Sequence, residues 1–390
     1  MAATTQSSAS VFGKPHGHGF SNPIVEDQTR LEHVQLITSF DGPSERKAFA
    51  TKIKQALRED DSPLMTFYGL LNLDPSTPEG RSKFDEASFN ELLKQHVEFC
   101  QPLYRFVAFS DDLIHPFHML SALGASTKTL RKCLKGCDAA IFHDTSAGGA
   151  PIHYAIQHHV PFDVMRWLVK KDTDALSMTT PGQQQVPLHI ACANGTDFDT
   201  IAFLTFKCGA AALRVDANGR TPLHIYCNDA SKPNLKIIED LTEVGPDACA
   251  VVADGETPLL IALRRGFPHD IVRDLLVSQP KAAQIANKVG MLPLHIAISS
   301  GVDIEIVRDL IKAYGDSVSM KEPRGGNLPV HLAVQQKCTD MDLYLQLARK
   351  YPEGLEEEND IGLTPHELAK KLRMKEDVVE FLNPFEEVEE

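Results

Sequence analysis

The residues that first suggest chemistry are histidines. His118, His153, His189, His224, His295 and His331 recur at intervals of 35 or 36 residues or of twice that, and a row of imidazoles invites metal binding or proton transfer. The spacing argues against both. Elements one repeat apart pack about 10 Å from each other, whereas ligands of one metal ion lie about 2 Å from it. Each ring is better placed for internal work, one nitrogen accepting and the other donating, tying a turn to a helix start.

The other reactive groups are equally reticent. Eight cysteines are present, Cys100, Cys133, Cys137, Cys192, Cys208, Cys227, Cys249 and Cys338, without a CxxC pair. Cys133 and Cys137 share a helix face, with His143 the one further zinc ligand nearby, and they read as thiols of a reducing compartment. His16 and His18, in a Gly-rich stretch, read as unliganded, as do His158 and His159. Walker, GxGxxG, HExxH, GxSxG and kinase signatures are absent from the sequence. No catalytic residue, cofactor site or metal site is therefore assigned. Asn194-Gly195-Thr196 matches a glycosylation sequon but reads as a helix–helix turn.

The histidines lead to the elements that must hold them. They stand in related segments: Pro151-Ile-His-Tyr-Ala155, Pro187-Leu-His-Ile-Ala191, Pro222-Leu-His-Ile-Tyr226, Pro293-Leu-His-Ile-Ala297 and Pro329-Val-His-Leu-Ala333. Pro258-Leu-Leu-Ile-Ala262 lacks the His, and weaker copies begin at Pro116 and Pro365. Successive prolines are 35, 36, 35, 36, 35, 36 and 36 residues apart, so the chain is a repeat array rather than two or three independent domains. Three residues before the proline stands glycine (Gly148, Gly219, Gly255, Gly290, Gly326, Gly362), with Gln184 the exception and Leu113 in the first unit. Recurrent glycine at a turn tip predicts positive φ. Proline suits the first helical position, and Thr221, Thr257 and Thr364 before it are natural caps. A second helix follows, with Ile271, Val272, Leu275 and Leu276 at helical spacing, and likewise Ile306, Val307, Leu310 and Ile311. Each unit reads turn, helix, loop, helix. About 35 residues bury little alone, so neighbours must stack.

The Pro-Leu-His-Ile/Leu-Ala segments resemble the Thr-Pro-Leu-His-x-Ala signature of ankyrin repeats. The period here is longer than the usual 33, with extra residues after the second helix, as at Gln279-Pro280-Lys281-Ala282-Ala283; this form is similar to the long repeats of diatom and related algal ankyrin families. The resemblance covers residues 113–383 and implies an all-α fold: an ankyrin-repeat α-solenoid of about eight helix-turn-helix units with hairpin-like tips, preceded by a small helical region. Departures such as Leu260 and Glu367, where His is expected, mark atypical units.

The expected organisation is a disordered tail over 1–40, a helical region or cap over 41–112, the solenoid over 113–383, and an acidic tail over 384–390. In the second region Phe49, Ile53, Ala56 and Leu57 have helical spacing, as do Phe89, Leu92, Leu93, His96 and Val97, around a turn at Asp74–Pro78. The net charge of −14 is concentrated late: residues 356–390 hold 4 basic against 12 acidic side chains, while 115–355 hold 24 against 25. Such a chain is a poor nucleic-acid ligand by default. No run of 18 apolar residues exists, so membrane insertion is not expected, and the first residues lack a secretory h-region. Asn383-Pro384-Phe385 resembles the peptide captured by EH domains, though a helix stop followed by acid explains it as well.

The resemblance implies a non-enzymatic scaffold or adaptor, cytoplasmic or nuclear, monomeric alone, that binds another protein on a concave face and its tips. The candidate partner-binding residues flank the tip glycines: Asn218, Asp254, Val289 and Ile361 before them, and Arg220, Glu256, Met291, Asn327 and Leu363 after. Alternatives are a sequestering inhibitor that uses the acidic tail, and, more remotely, an enzyme housed in residues 41–114.

Overall fold

The computed structural model describes residues 34–35, 62–106, 108, 113–137, 140 and 149–383. Expectations for the tails, for the Phe49–Leu57 segment, for His143 and for Gly148 lie outside these residues. Within them, sixteen helices form eight consecutive pairs: α4 (Pro116–Leu123) with α5 (Thr127–Gly136), α6 (Pro151–Gln157) with α7 (Phe162–Lys171), and α8 (Pro187–Ala193) with α9 (Phe198–Lys207). Next come α10 (Pro222–Asp229) with α11 (Leu235–Val244), α12 (Pro258–Arg265) with α13 (His269–Ser278), and α14 (Pro293–Ser300) with α15 (Ile304–Ala313). The last are α16 (Pro329–Gln335) with α17 (Met341–Lys350), and α18 (Pro365–Lys371) with α19 (Glu376–Phe381). First helices stack on first helices and second on second, burying one continuous apolar core.

The local reasons are those the motif suggested. Proline opens every first helix. Thr221, Thr257 and Thr364 accept the backbone N–H three residues on at 3.3–3.4 Å. The extra residues after the second helix form a 3₁₀ turn, as at Gly209–Leu213, Pro246–Ala250 and Pro280–Gln284. Each buries two small side chains, Ala211 and Ala212, Ala248 and Cys249, Ala282 and Ala283. The added length thus works as a packing layer between second helices.

Ahead of the repeats stand α1 (Pro63–Leu71), α2 (Pro78–Ser82) and α3 (Glu86–Gln95). The fold is not purely helical. A three-stranded antiparallel sheet joins β1 (Val34–Gln35), β2 (Leu103–Arg105) and β3 (Leu113–Ile114), with Tyr104 opposite both Val34 and Ile114. Leu113, which stands where later units have a tip glycine, is in β3: the first unit replaces its free tip with a strand paired to the preceding region. Tyr104 is fully buried among Phe67, Tyr68 and Phe106, and aromatic residues favour such half-covered strands over helix. The region packs on the first pair: Asn90 Nδ2 donates to Thr129 Oγ1 at 2.6 Å, Lys132 Nζ donates to Asn90 at 2.7 Å, and the Glu86 carboxylate accepts from Ser126 and Thr129.

Candidate protein-binding surface

The motif histidines are buried, and in His153, His189, His224, His295 and His331 both ring nitrogens meet backbone. In four units Nδ1 accepts the amide three residues earlier, from Val186, Thr221, Leu292 and Leu328 at 3.1–3.3 Å. The proton therefore sits on Nε2, which donates across to the next unit: His189 to Arg220 O (3.0 Å), His224 to Val251 O (3.1 Å), His295 to Met320 O (2.8 Å) and His331 to Leu363 O (3.1 Å). His153 makes the same crossing to Met178 O at 3.1 Å. Each imidazole is a clamp between a helix start and the following tip. Burial pushes the clamps His153, His189 and His224 down to about 4, and His295 and His331 down as well, so they are neutral at pH 7; His158, buried at the end of α6, is pushed down to about 4 by the same cause. Among the described residues no three His, Cys, Asp or Glu converge as a metal would require. Glu367 explains its own departure. Its carboxylate accepts the Thr364 amide at 3.1 Å, closing a capping box, and in this last described unit there is no later tip to reach.

Five of the described tips share one construction that the motif search missed. A polar side chain six or seven residues before the proline folds the turn around itself. Asp216 Oδ1 accepts from the amides of Asn218 and Arg220, Asn287 from those of Val289 and Met291, and Asn359 from those of Ile361 and Leu363, all at 2.9–3.2 Å. Glu322 does the same for Arg324 and Asn327, and Thr180 for Gln185. Asp254 and Gly255 both have positive φ (54° and 75°), and Ala253 and Glu256 exchange both backbone hydrogen bonds, so this tip is a two-residue hairpin. Gly219, Gly290, Gly326 and Gly362 also have positive φ; Gln184, the exception in sequence, holds the conformation too (53°). In the second unit it falls on Gly149. Neighbouring tips join by single backbone bonds, Ala217 N–H to Gln183 O, Lys288 N–H to Gly255 O and Asp360 N–H to Gly325 O, at 2.9–3.0 Å.

On this frame the candidate residues divide. Asn218, Asp254 and Ile361 are exposed, Ile361 at 65%. Arg220, Glu256, Val289, Met291 and Leu363 are half-buried rather than free. Arg220 places Nε and Nη2 on Asp216 Oδ2 at 3.0 and 2.8 Å. Burial pushes the Asp216 carboxyl up, but Arg220 and the tip amides outweigh it and hold it below the usual range. Asn327 is buried and is not an open recognition position: Nδ2 donates to Glu322 at 2.8 Å, and Oδ1 accepts from Gln335 and Asn359.

Those contacts reveal a second set of surface residues. Arg264 sets Nε and Nη2 on the Glu256 carboxylate at 3.0 and 2.9 Å, and Gln335 reaches Asn327 at 3.1 Å; in both, the partners are eight residues apart. The sixth residue after the motif proline therefore faces the residue two before it. The row reads Ala193, Asn228, Arg264, Ser299 and Gln335. The signal was available, since these positions vary while the core positions of the same helix repeat. The residue after this row braces the stack: Asn194 Nδ2 points to Ile156 O and Gln157 O, and Arg265 donates to Cys227 O, Asn228 O and Ala230 O. Asn194 of the sequon is thus a helix cap between units.

Comparison with known families agrees with this geometry. A three-copy ankyrin-repeat model matches residues 188–283 and 226–322, and a second ankyrin-repeat model matches 152–205. The chain carries ankyrin repeats. Among curated proteins the chain is similar to the tyrosine-protein kinase HTK16 of Hydra vulgaris, at 34% identity over 124 residues. That stretch is 30% of this chain and 15% of the kinase. Among solved structures the ankyrin repeat domain of Bcl-3, a member of the IkappaB protein family, matches with a TM-score of 0.48 and 21% identity, over 60% of this chain and 99% of that one.

The buried cysteines are not a reactive set. Cys100, Cys133 and Cys137 are buried together where the N-terminal region meets the first pair; burial, then Cys133, pushes the Cys100 thiol well up. Burial does the same to Cys192, Cys227 and Cys249. Protonated, enclosed thiols are poor nucleophiles. No described helix is long and apolar enough to cross a membrane.

Proposed function

We propose that this protein is a non-catalytic adaptor of the cytoplasm or nucleus that binds a partner protein along the tips and the exposed ends of the first helices. The observation that carries the reading is the paired row just described. Arg220 with Asn228, Glu256 with Arg264, and Met291 with Ser299 occupy equivalent backbone positions in three successive units, yet present a different chemistry in each, and Gln335 continues the row over the buried Asn327. The frame beneath them is proline-started helices stacked on one core, with a neutral histidine clamp and an amide-lined turn in each of these units except the one begun by Pro258, where Leu260 and a two-residue hairpin take their place. Rigid scaffolding with varied surface groups lowers the ordering cost of binding and leaves specificity to the side chains. The concave side of a solenoid supplies the extended area that a protein partner needs.

A photo-crosslinking amino acid placed at Asn228, Arg264 or Ser299 of the full chain, and at Lys312 on a second helix, tests this in native lysate. The same polypeptide should be captured from the first three positions and not from the fourth. Equal capture from Lys312 overturns the assignment of the surface.

A further inference from the structure

The second helices carry a pattern of their own. Their fifth and ninth residues form an outward row: Arg131 and Lys135 on α5, Arg166 and Lys170 on α7, Ala202 and Phe206 on α9, Glu239 and Glu243 on α11. The row begins basic, becomes apolar and then turns acidic. Lys128 and Lys171 enlarge the basic part, and among the described residues none of these six cations is in an ion pair. Asp163 and Asp199, the acidic groups of α7 and α9, sit in the first turns, away from the basic ends. Aromatic rings are set among the cations. Arg131 lies 5.9 Å from the Trp167 ring centroid, Arg166 5.9 Å from Phe162, and Lys207 5.1 Å from Phe206. Phe162 and Phe203 meet edge to face at 5.5 Å, joining α7 to α9. Phe206 itself is 80% exposed.

We infer that this face docks an acidic protein segment that carries an apolar side chain at one end. Two things commit the occupant. Both row positions are cationic and outside ion pairs on α5 and α7 only, a width of about 20 Å when Phe206 is included at 8–10 Å per helix. About six extended residues span that distance. The basic patch is also bounded by Glu239 and Glu243, which a planar anionic membrane resting on the row would meet and a short segment would not. The surface is distinct from the first-helix row and independent of it.

Fluorescence anisotropy with a labelled peptide of six glutamates followed by a phenylalanine tests the inference on the full chain. Binding should be measurable at about 20 mM salt and at least 10-fold weaker at about 200 mM, because the contacts are exposed charges. Lys135→Glu with Arg166→Glu and Lys170→Glu should abolish it. The charge-matched control Arg273→Glu, Lys312→Glu, Arg349→Glu should keep affinity within about twofold, since net charge alone steers weakly at short range. Phe206→Ser should weaken the phenylalanine peptide about 3- to 10-fold and leave a six-glutamate peptide unchanged, a hydrophobic contact of ordinary size. No binding at low salt, or equal loss in the two triple variants, overturns the proposal. So does capture of phosphatidylserine vesicles through the patch without capture of the peptide, which would make the face a lipid-docking surface.

Discussion

The repeats from Pro151 onward and the region from Ser62 to Gly124 bury apolar surface by different means. In the repeats, aliphatic side chains of moderate size fill the layers, and polar clamps set the register between units. His189, His224, His295 and His331 all reach one unit ahead. In the N-terminal region the work falls to aromatic rings. Phe67 touches Phe89, Phe99 and Tyr104 with centroids 5.2–5.8 Å apart, and Tyr68 stacks on Phe106 at 5.6 Å. The contrast teaches what each must do. A repeat must fit a copy of itself on both sides, which favours small, interchangeable layers. The N-terminal region must close one end, so it can use large residues that match only one neighbour.

Acid should produce the largest effect, and it acts on the repeats. The buried rings of His153, His158, His189 and His224 titrate at about 4, against about 6.5 in an unfolded chain. Between those values the unfolded state binds protons that the folded state refuses. Stability is therefore complete above pH 6.5 and is lost as the pH falls toward 4, by up to about 3 kcal/mol per ring. The melting temperature should drop steeply between pH 6.5 and 4.5. A flat profile across that window would show that the clamps are solvated and not load-sharing.

The aromatic end offers the next largest effect. Phe67 is fully buried, and Phe67→Ala should cost about 3–5 kcal/mol. Because a repeat array couples mainly to nearest neighbours, the loss should be felt first nearby. Trp167, the one tryptophan of the chain, lies in α7 of the second pair and reports on that end. In urea, its fluorescence transition should move to lower denaturant than the far-UV circular dichroism transition. Coincident transitions would mean that the two regions unfold as one unit.

How much of this was legible beforehand follows from the same contrast. The pairs of helices, their proline starts and the tip glycines could be read because a period multiplies a weak signal eight times. The histidine role was legible because the residue recurs at one position of the motif, where its ring can meet the amide of the helix start. The N-terminal sheet was not: Leu103–Arg105 is three residues long, and its partners lie 70 residues upstream and ten downstream, with no repetition to reinforce them. The surface was half legible. Tip residues could be identified by position, but Asn327 turned out to be buried because Glu322, Gln335 and Asn359 converge on it from three separate places in the chain. Contacts of that kind leave no local pattern.

A smaller effect separates the tips from one another. Gly219 and Gly255 have nearly equal φ, 76° and 75°, but different surroundings. A Cβ on Gly219 would meet nothing within 4 Å, whereas one on Gly255 would lie 2.5 Å from Lys288 Cβ and 3.1 Å from the Lys288 amide nitrogen. That amide donates to Gly255 O, so it has little room to retreat. Gly219→Ala should cost about 1 kcal/mol, the backbone penalty for positive φ. Gly255→Ala should cost about 2–3 kcal/mol, adding an overpacking term. Similar midpoints in urea for the two variants would show that tip-to-tip contact contributes nothing to stacking.

The smallest effect concerns Arg220, where clamp and recognition surface meet. Its guanidinium spans the Asp216 carboxylate, while its own carbonyl accepts from His189 and its amide donates to Asp216 Oδ1. Arg220→Ala removes the guanidinium alone. The backbone bonds survive, because Asp216 still holds the amides of residues 218 and 220. The guanidinium is partly exposed, so its pairing is screened, and the expected loss is under about 1 kcal/mol. Asp216→Ala removes the centre of the turn and orphans those amides, which should cost about 1–3 kcal/mol. A urea series on both variants reads the difference directly. The crosslink from Asn228 supplies the second readout. Arg220→Ala should reduce its yield while stability barely moves, since the row loses its one guanidinium at that unit. If Arg220→Ala instead destabilises as much as Asp216→Ala and leaves the crosslink unchanged, Arg220 belongs to the framework, and recognition in that unit rests on Asn218 and Asn228.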